Sequence, residues 1–258
     1  MSITTSPLIS IVTIVFNGVE FLEETIQSVV SQTHENIEYI VIDGGSTDGT
    51  VEIIKKYEDK ISRWISEPDK GIYDAMNKGI DLATGDWINF MNSGDCFLDK
   101  SVVDKVIPAL GDDMIVVYGD TILDYGTYTS LKPSLDLSKM YYGQVIGHQS
   151  SFVNTTYHKK NLFSLEYKIA GDYDFLLRAY INNKNKVKRI PVVVSIFAMD
   201  GVSSSNEVKS TLERIKILKN IRQYKLQIRF AYFLLLLKIM IKRKLPLNTI
   251  KRLNKRKG

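Results

Sequence analysis

The amino-acid sequence predicts an α/β protein with a doubly wound, mostly parallel sheet, and three observations indicate it. Short runs of β-branched and other apolar residues alternate with stretches whose apolar residues recur at helical spacing. This alternation continues from residue 9 to about residue 120, as in sheets built from right-handed crossovers. Segments rich in Gly, Asn and Asp follow several of the predicted strands, as expected where the chain leaves the sheet.

Each element is predicted from its own pattern. Continuous β-branched runs predict buried strands, and apolar residues three or four positions apart predict helices. Strands are expected at residues 9–16, 37–42, 61–65, 87–91 and 115–118, and helices at residues 20–32, 47–57, 72–82 and 102–110. After about residue 120 the pattern loosens into a smaller mixed portion, with short strands within 121–131, strands at 150–153 and 187–194, and a helix at 173–182.

A change in charge near residue 207 predicts a C-terminal appendage. Residues 214–258 contain 15 Lys or Arg and no Asp or Glu, which leaves a net charge of −10 for residues 1–213. Residues 230–241 are apolar except for Lys238. That stretch is too short to span a bilayer, and we expect residues 207–258 to form a basic amphipathic helical tail at an anionic membrane surface. The alternative is a helix packed on the body with its basic face in water.

Composition and motifs exclude several classes of function. With Cys96 as the single cysteine, no intrachain disulfide can form. We predict no signal peptide and a cytoplasmic location. The sequence lacks G-x-G-x-x-G after the first strand, Gly-Lys-Ser/Thr for a P-loop, a G-x-S-x-G elbow and a Cys/His zinc cluster. The uneven charge argues against nucleic acid as a partner, and the sequence does not predict the oligomeric state.

Polar residues at the ends of predicted strands indicate a ligand site at one edge of the sheet. Asn17 follows the first strand, Asp43 the second, and the segment from Asn92 to Asp95 follows the fourth. Ligands of open α/β sheets bind beyond the carboxyl ends of the strands. Carboxylates there suit Mg²⁺ or Mn²⁺ with substrate phosphates completing the coordination.

Four ordered segments resemble family 2 glycosyltransferases, in particular bacterial O-antigen and capsule enzymes. They are SIVTIVFN at 10–17, VIDGGSTDGT at 41–50, DKGIYDAMNKG at 69–79 and GDWINFMNSGD at 85–95. The resemblance covers about residues 8–200. It implies a GT-A fold, a nucleotide-sugar donor, a divalent metal and inversion at the anomeric carbon. It also implies that residues 1–120 form the nucleotide-sugar-binding half and residues 121–206 the acceptor-binding half of one domain, 1–206.

The resemblance also implies roles for individual residues. Asp172 matches the catalytic base, although Gly171 stands where the family often has glutamate. Asp95 matches the metal-binding carboxylate of the D-x-D motif, with Asn92 and Gly94 in place of other carboxylates. The implied donor-binding residues are Thr13, Val15, Asn17, Asp43 (on the base), Asp69, Lys70, Asn92, Ser93 and Gly94. Candidates for acceptor or diphosphate binding are His148, Gln149, Asp174 and Arg178.

The same residues also have structural interpretations. Asp43 and Asp172 could cap helices, Asp95 could belong to a turn, and Asp174 could interact with a helix dipole. His148 could be a hydrogen-bonded structural histidine, and His34 and His158 are placed in polar loops without a role.

We therefore expect an inverting glycosyltransferase with one catalytic carboxylate and Mn²⁺ or Mg²⁺. It would move a hexose, galactose or glucose favoured, from a UDP-sugar to a sugar on a polyprenyl diphosphate in O-antigen or capsule assembly. It would work peripherally at the inner face of the cell membrane. The alternatives are a catalytically weakened nucleotide-sugar-binding module at the membrane and a nucleotidyltransferase.

Overall fold

The computed structural model describes residues 6–198, 207–221 and 225–244, and side chains up to residue 241. The predicted domain boundary at residue 206 and the end of the predicted tail, residues 245–258, lie outside these ranges. The strands are β1 (Ile9–Val15), β2 (Ile37–Asp43), β3 (Arg63–Ser66), β4 (Trp87–Phe90), β5 (Asp95–Phe97), β6 (Val116–Asp124), β7 (Thr129–Lys132), β8 (Ser151–Asn154) and β9 (Val187–Ala198). The helices are α1 (Leu22–Val30), α2 (Thr50–Lys56), α3 (Ile72–Leu82), α4 (Val102–Val106), α5 (Thr155–Lys160), α6 (Gly171–Asn182), α7 (Glu207–Asn220) and α8 (Leu226–Lys244).

One sheet runs through the described chain in the order β3-β2-β1-β4-β8-β6-β9-β5, and β7 pairs with β6. Strands β3, β2, β1 and β4 are parallel. The second half is mixed, because β8 is antiparallel to both β4 and β6, whereas β6 and β9 are parallel. The pairing of β4 with β8 joins the two predicted halves of the domain into a single sheet.

The core has two parts, one on each face of the sheet, as expected for a doubly wound fold. One face packs against α1, α2 and α4, with Leu22, Ile26 and Ile54 buried. The other packs against α3, α6, α7 and α8, with Met76, Leu176 and Ile217 buried. Strands β1 and β2 are buried along both faces, which explains why they are continuous apolar runs rather than alternating ones.

The structure differs from the sequence prediction mainly in short elements. Strand β5 and helix α5 were not predicted, because three and six residues are too short to establish a period. Helix α2 begins at Thr50 rather than residue 47. The backbone N–H of Thr47 donates to Asn17 Oδ1 and that of Ser46 to Asp43, which holds both residues in the preceding loop.

Helices α7 and α8 pack on the body. Ile217 and Leu218 of α7, and Ile228 and Tyr232 of α8, are buried in the same core cluster as α6. For one face of α8, this packing favours the alternative stated from the sequence, in which the tail helix packs on the body. Its other face exposes large apolar side chains. Within the described ranges, every helix is too short or too polar to cross a bilayer.

Candidate functional site

The candidate site lies at the carboxyl ends of β1, β2 and β4. Val15 is in register with Asp43, and Ser93 donates its N–H to the carbonyl of Ile14. The segment after β4 therefore runs beside the end of β1, as predicted from the positions of the polar residues. Asn92 to Asp95 form a tight turn closed by a 2.8 Å bond from the Asp95 N–H to the Asn92 carbonyl. Gly94 adopts φ +94° in it, a conformation that favours glycine.

His148 links two carboxylates from distant parts of the chain. Its Nδ1 lies 3.5 Å from Asp172 Oδ2 and its Nε2 lies 3.8 Å from Asp95 Oδ2. The Asn92 amide nitrogen is 3.0 Å from the same Nε2. The side chains of both aspartates are less than a tenth exposed. The structure thus brings together four sequence-predicted residues, one of them predicted only as an acceptor or diphosphate contact.

Two residues missed by the sequence interpretation complete the surroundings of Asp172. Gln144 Nε2 donates to Asp172 Oδ2 at 2.7 Å, and the Tyr73 hydroxyl lies 3.2 Å from Oδ1. Tyr73 also explains Gly171, because a Cβ at position 171 would come within 2.9 Å of the tyrosine ring. The glutamate expected at position 171 would therefore collide with Tyr73. Spacing offers no signal for this pair, since the residues are far apart in the chain.

The two carboxylates have pKa shifts in opposite directions. Burial raises the pKa of Asp95 to about 7, and the charge of His148 opposes this only in part. Burial also raises the pKa of Asp172, but the hydrogen bond and charge of His148 outweigh it, and the net pKa is lowered. The pKa of His148 is lowered by burial and raised more strongly by Asp172 and Asp95. Asp172 is therefore ionised at neutral pH, the state required of a general base.

The oxygen atoms around Asp95 are suitable ligands for a divalent cation. Among the described residues, no donor lies within hydrogen-bonding distance of the Asp95 carboxylate, and the buried Asn92 Oδ1 has no partner. Buried carboxylate and amide oxygens that accept no hydrogen bond suit Mg²⁺ or Mn²⁺. In the described ranges, no cluster of three or more His, Cys, Asp or Glu is arranged to hold a metal. The protein would thus supply few ligands and the substrate phosphates the rest.

The predicted donor-binding residues of β1 and β2 are largely engaged within the protein. Thr13 is buried, and its hydroxyl donates to the Met91 carbonyl at 2.7 Å. Asp43 is also buried and accepts bonds from the N–H groups of Gly45 and Ser46 and from the hydroxyls of Ser46 and Ser66. Val15 is buried in the core. A nucleotide base contact for Asp43 stays a prediction, and the geometry gives this carboxylate a loop-forming role.

Three other predicted donor contacts lie in the segments that follow β1 and β3. Asn17 adopts φ +47° and binds the Thr47 N–H, while Asp69 Oδ1 accepts from the Gly71 N–H at 2.7 Å. The side chain of Asp69 packs against Gly44, where a Cβ would come within 2.4 Å of Oδ2. Lys70 is exposed. For Asn17, Asp69 and Lys70, contact with a nucleotide stays a prediction.

Gln149, Asp174 and Arg178 are not brought to the cluster by any of their contacts within the described chain. Arg178 Nε donates to Asp174 Oδ2 at 2.9 Å, and Arg178 also reaches the Leu162 carbonyl. Asp172 and Asp174 are two positions apart on α6 and so point to different sides of the helix. Gln149 is buried and its carbonyl accepts from Asn89. These three predictions receive no support from the geometry.

Comparison with solved structures shows that this chain has the GT-A fold. TarS 1–349 from S. aureus, solved with UDP-GlcNAc, has a TM-score of 0.68 and 19% identity, over 83% of this chain and 65% of the TarS chain. Glucosyl-3-phosphoglycerate synthase from Mycobacterium tuberculosis, solved with Mn²⁺, UDP and phosphoglyceric acid, has a TM-score of 0.58 and 18% identity, over 81% and 78% of the two chains. The predicted α/β fold with a mostly parallel sheet is confirmed.

The family model for glycosyl transferase family 2 matches residues 10–179, and the chain belongs to this family. An uncharacterized glycosyltransferase, Rv1514c, of Mycobacterium tuberculosis is 38% identical over 184 residues, which cover 68% of this chain and 70% of the relative. A PGL/p-HBAD biosynthesis glycosyltransferase, Rv2957, of the same species is 29% identical over 222 residues, covering 81% and 84%. The resemblance stated from the sequence is thus confirmed, and the nucleotidyltransferase alternative loses its support.

Proposed function

We propose that this protein is a metal-dependent inverting glycosyltransferase in which Asp172 is the single general base. The observation that carries the proposal is the arrangement of Asp172, His148 and Asp95, which places an ionised carboxylate beside a candidate cation site. Inverting transfer needs one base and no carboxylate nucleophile, because no covalent sugar–enzyme intermediate forms. Asp172 as the base and Asp95 as a cation ligand fit that requirement, because neither carboxylate is needed as a nucleophile.

Each residue has a defined part in the proposed reaction. Asp172 accepts the proton of the acceptor hydroxyl as its oxygen forms a bond to the anomeric carbon. The bond from that carbon to the diphosphate oxygen breaks, and the nucleoside diphosphate leaves on the opposite face. Asp95 and the Asn92 Oδ1 would hold the divalent cation, which neutralises negative charge on the leaving diphosphate. Gln144 and Tyr73 orient the carboxylate of Asp172.

We propose a UDP-hexose, with galactose or glucose favoured, as donor. UDP-GlcNAc and UDP occur with two structures of the same fold, whereas GDP-Man and Mn²⁺ occur with a mannosyltransferase from Pyrobaculum calidifontis of TM-score 0.64 and 14% identity. The acceptor would be a sugar on a polyprenyl diphosphate in O-antigen or capsule assembly. This part rests on the sequence resemblance and on the membrane surface described next.

We propose that α8 places the enzyme on the anionic inner face of the membrane. One side of α8 is packed on the body through Ile228, Tyr232 and Ile239. The other side exposes apolar residues at helical spacing and no acidic residue occurs along α8. The exposed residues are Leu226, Phe230, Phe233, Leu234, Leu237, Met240 and Ile241. An apolar stripe combined with basic residues supplies the two signals that stable interfacial binding requires.

The decisive experiment is a screen of UDP- and GDP-sugars against a synthetic GlcNAc-diphosphate-lipid acceptor with Mn²⁺ or Mg²⁺. We expect turnover with a UDP-hexose, an inverted anomeric configuration in the product and no turnover in excess EDTA. Retention of configuration would contradict the single-base mechanism. Nucleotide-sugar binding without transfer to any acceptor would favour the catalytically weakened module.

A further inference from the structure

The loop that leads into α6 is held by a carboxylate from the C-terminal part of the chain. Glu213, on α7, accepts three consecutive backbone N–H groups. The N–H of Lys168 donates to Oε1 at 3.0 Å, and those of Ile169 and Ala170 donate to Oε2 at 2.9 Å each. Backbone N–H groups near the start of a helix have no partner within that helix, so an external acceptor stabilises them. Both oxygens of Glu213 are therefore committed to one short loop.

The same loop is also held by Tyr73 on α3. The Tyr73 hydroxyl donates to the Ile169 carbonyl at 2.8 Å and lies 3.2 Å from Asp172 Oδ1. Both the N–H and the C=O of Ile169 are thus bound by side chains from other elements. Asp172 follows Ile169 by three residues, with Gly171 packed on the Tyr73 ring.

We infer that Glu213 is a positioning residue for catalysis: it sets the place of Asp172 by holding the 168–170 loop against Tyr73. The inference rests on the proposed role of Asp172 as the base. Bonds from backbone N–H groups to a carboxylate are short and directional, so they define the loop position more tightly than apolar packing does. Displacing a catalytic group by about 1 Å can cost about 10²-fold in rate.

Attachment of α7 does not depend on Glu213 alone. Ile217 and Leu218 of α7 are buried in the core. Lys216 of α7 also pairs with Glu166, just before the same loop, at 2.7 Å, and both side chains of that pair are about half exposed. The Lys216–Glu166 pair joins the same two segments without touching residues 168–170. Lys216→Gln is therefore a matched control that removes an α7-to-loop contact and leaves the three N–H bonds in place.

The test compares Glu213→Gln, Glu213→Ala and Lys216→Gln in the full chain. Gln keeps the size of the side chain but places an NH₂ group against N–H donors, so at least one bond is lost. We expect kcat to fall about tenfold for Gln and about 10²-fold for Ala, with the KM for donor within twofold of wild type. Lys216→Gln should keep wild-type kcat. If the alanine variant does not fold, the glutamine variant still decides.

Two further measurements separate positioning from stability. Amide hydrogen exchange of the 166–172 peptide should accelerate in Glu213→Gln and not in Lys216→Gln, a result that does not require activity. Asp172→Asn should cost less in the Glu213→Gln background than in wild type, because the two residues act together. Faster exchange with unchanged kcat overturns the inference, as does additive loss in the double variant. Altered exchange in a protein that transfers no sugar at all contradicts the proposed function instead.

Discussion

At the scale of single residues, Asp172 combines burial with a lowered pKa. Burial raises the pKa of a carboxyl group, but His148, the Tyr173 N–H and the Tyr73 hydroxyl together lower that of Asp172. These partners favour the ionised form and also hold the carboxylate in one orientation. The helix-cap interpretation of Asp172 is less consistent with this, because no side-chain cap bond is present at the start of α6.

We expect Asp172→Asn to lower kcat about 10²-fold or more, since general-base catalysis contributes this much, and to leave UDP affinity nearly unchanged. Steady-state kinetics and calorimetric titration with UDP and Mn²⁺ measure the two quantities. Asp136→Asn is the control, because Asp136 caps a short 3₁₀ helix, Leu137–Tyr142, by accepting from the Ser138 N–H. Weaker UDP binding with kcat preserved would place Asp172 in the donor site.

Asp95 allows a test that separates function from stability. Its carboxylate is buried without a hydrogen-bond donor among the described residues, a state that costs stability unless a cation is bound. We expect Asp95→Asn to abolish transfer and Mn²⁺ dependence while the metal-free melting temperature stays equal or rises. Thermal unfolding and an activity titration with Mn²⁺ measure both. The control Asp99→Asn alters an exposed aspartate bound to Lys105 and Ser101 and should keep activity. Activity of Asp95→Asn in EDTA would refute the metal assignment.

His158 shows how a buried residue can escape sequence analysis. It was placed in a polar loop, but it lies in α5 with its ring stacked on Phe175 at 4.3 Å and edge-on to Phe163 and Phe90. Neither ring nitrogen has a hydrogen-bond partner in the described chain. Burial lowers the pKa of His158 to about 4, and the charge of Arg178 adds to this. The polar residues around it in sequence conceal an apolar site formed by distant phenylalanines.

This histidine predicts a pH dependence of stability. Because its folded pKa of about 4 lies below the unfolded value of 6.5, the unfolded chain binds more protons between these values. Stability is therefore complete above pH 6.5 and is lost as the pH falls toward 4, by about 2 kcal/mol at pH 5. We expect His158→Phe to remove this part of the decline and to be no less stable than wild type at pH 7. Urea unfolding at pH 7 and pH 5 measures the free energy of unfolding of both proteins. An equal loss of stability between these pH values in wild type and variant would contradict the role of His158.

At the scale of elements, the sequence predicted the long ones because their periods are clear. Strands β1 to β4 were each located to within about two residues, and helix α3 agrees at both ends. What spacing could not supply is the side-chain pairing between elements. The family resemblance implies that Asp43 contacts a nucleotide base, and spacing did not reveal that the hydroxyls of Ser46 and Ser66 donate to its carboxylate. Tyr73, Gln144 and Glu213 were missed because their roles arise from contacts across the fold, which local pattern does not encode.

Helix α8 gives a prediction about membrane binding. Phe230 and Phe233 are more than 60% exposed on the apolar stripe. We expect the double variant Phe230→Glu/Phe233→Glu to lose binding to vesicles containing phosphatidylserine. The substitutions remove apolar area that the bilayer would bury, and they add negative charges that the anionic lipids repel. Val30→Glu, on the exposed side of α1, is the control for an added negative charge. Co-sedimentation at low and high salt measures the effect. Equal vesicle binding by wild type, the double variant and Val30→Glu would exclude this face of α8 as the membrane contact.

At the scale of the whole molecule, the C-terminal helices are part of the core rather than an appendage. Ile217, Leu218, Ile228 and Tyr232 are each at most 6% exposed. At about 1.5–3 kcal/mol for each buried side chain, their loss is comparable to the entire stability of about 5–15 kcal/mol of a typical domain. A detachable tail would instead leave a stable body. The contacts of α7 and α8 therefore argue against cutting the chain near residue 207.

We expect a chain truncated before Glu207 to unfold at a markedly lower temperature or to aggregate, and to transfer no sugar to a water-soluble acceptor. A chain ending after Asn220 keeps α7 and its bonds to residues 168–170, and it should retain part of the activity with reduced stability. Thermal unfolding and activity of the two truncated chains test this. A stable, fully active chain of residues 1–206 would show that the tail is dispensable.

The bonds from Glu213 to the 168–170 loop have a consequence for timing during synthesis. The 168–170 loop is bonded to Tyr73, which is 96 positions from Ile169 in the chain. It is also bonded to Glu213, which is 43 to 45 positions from the loop residues. Such distant contacts cannot form until the later partner has been translated and has left the ribosome. The helix that follows at once is α8. On the roles proposed for Asp172 and α8, a newly made chain would complete its catalytic arrangement and its membrane-binding helix at nearly the same stage of synthesis.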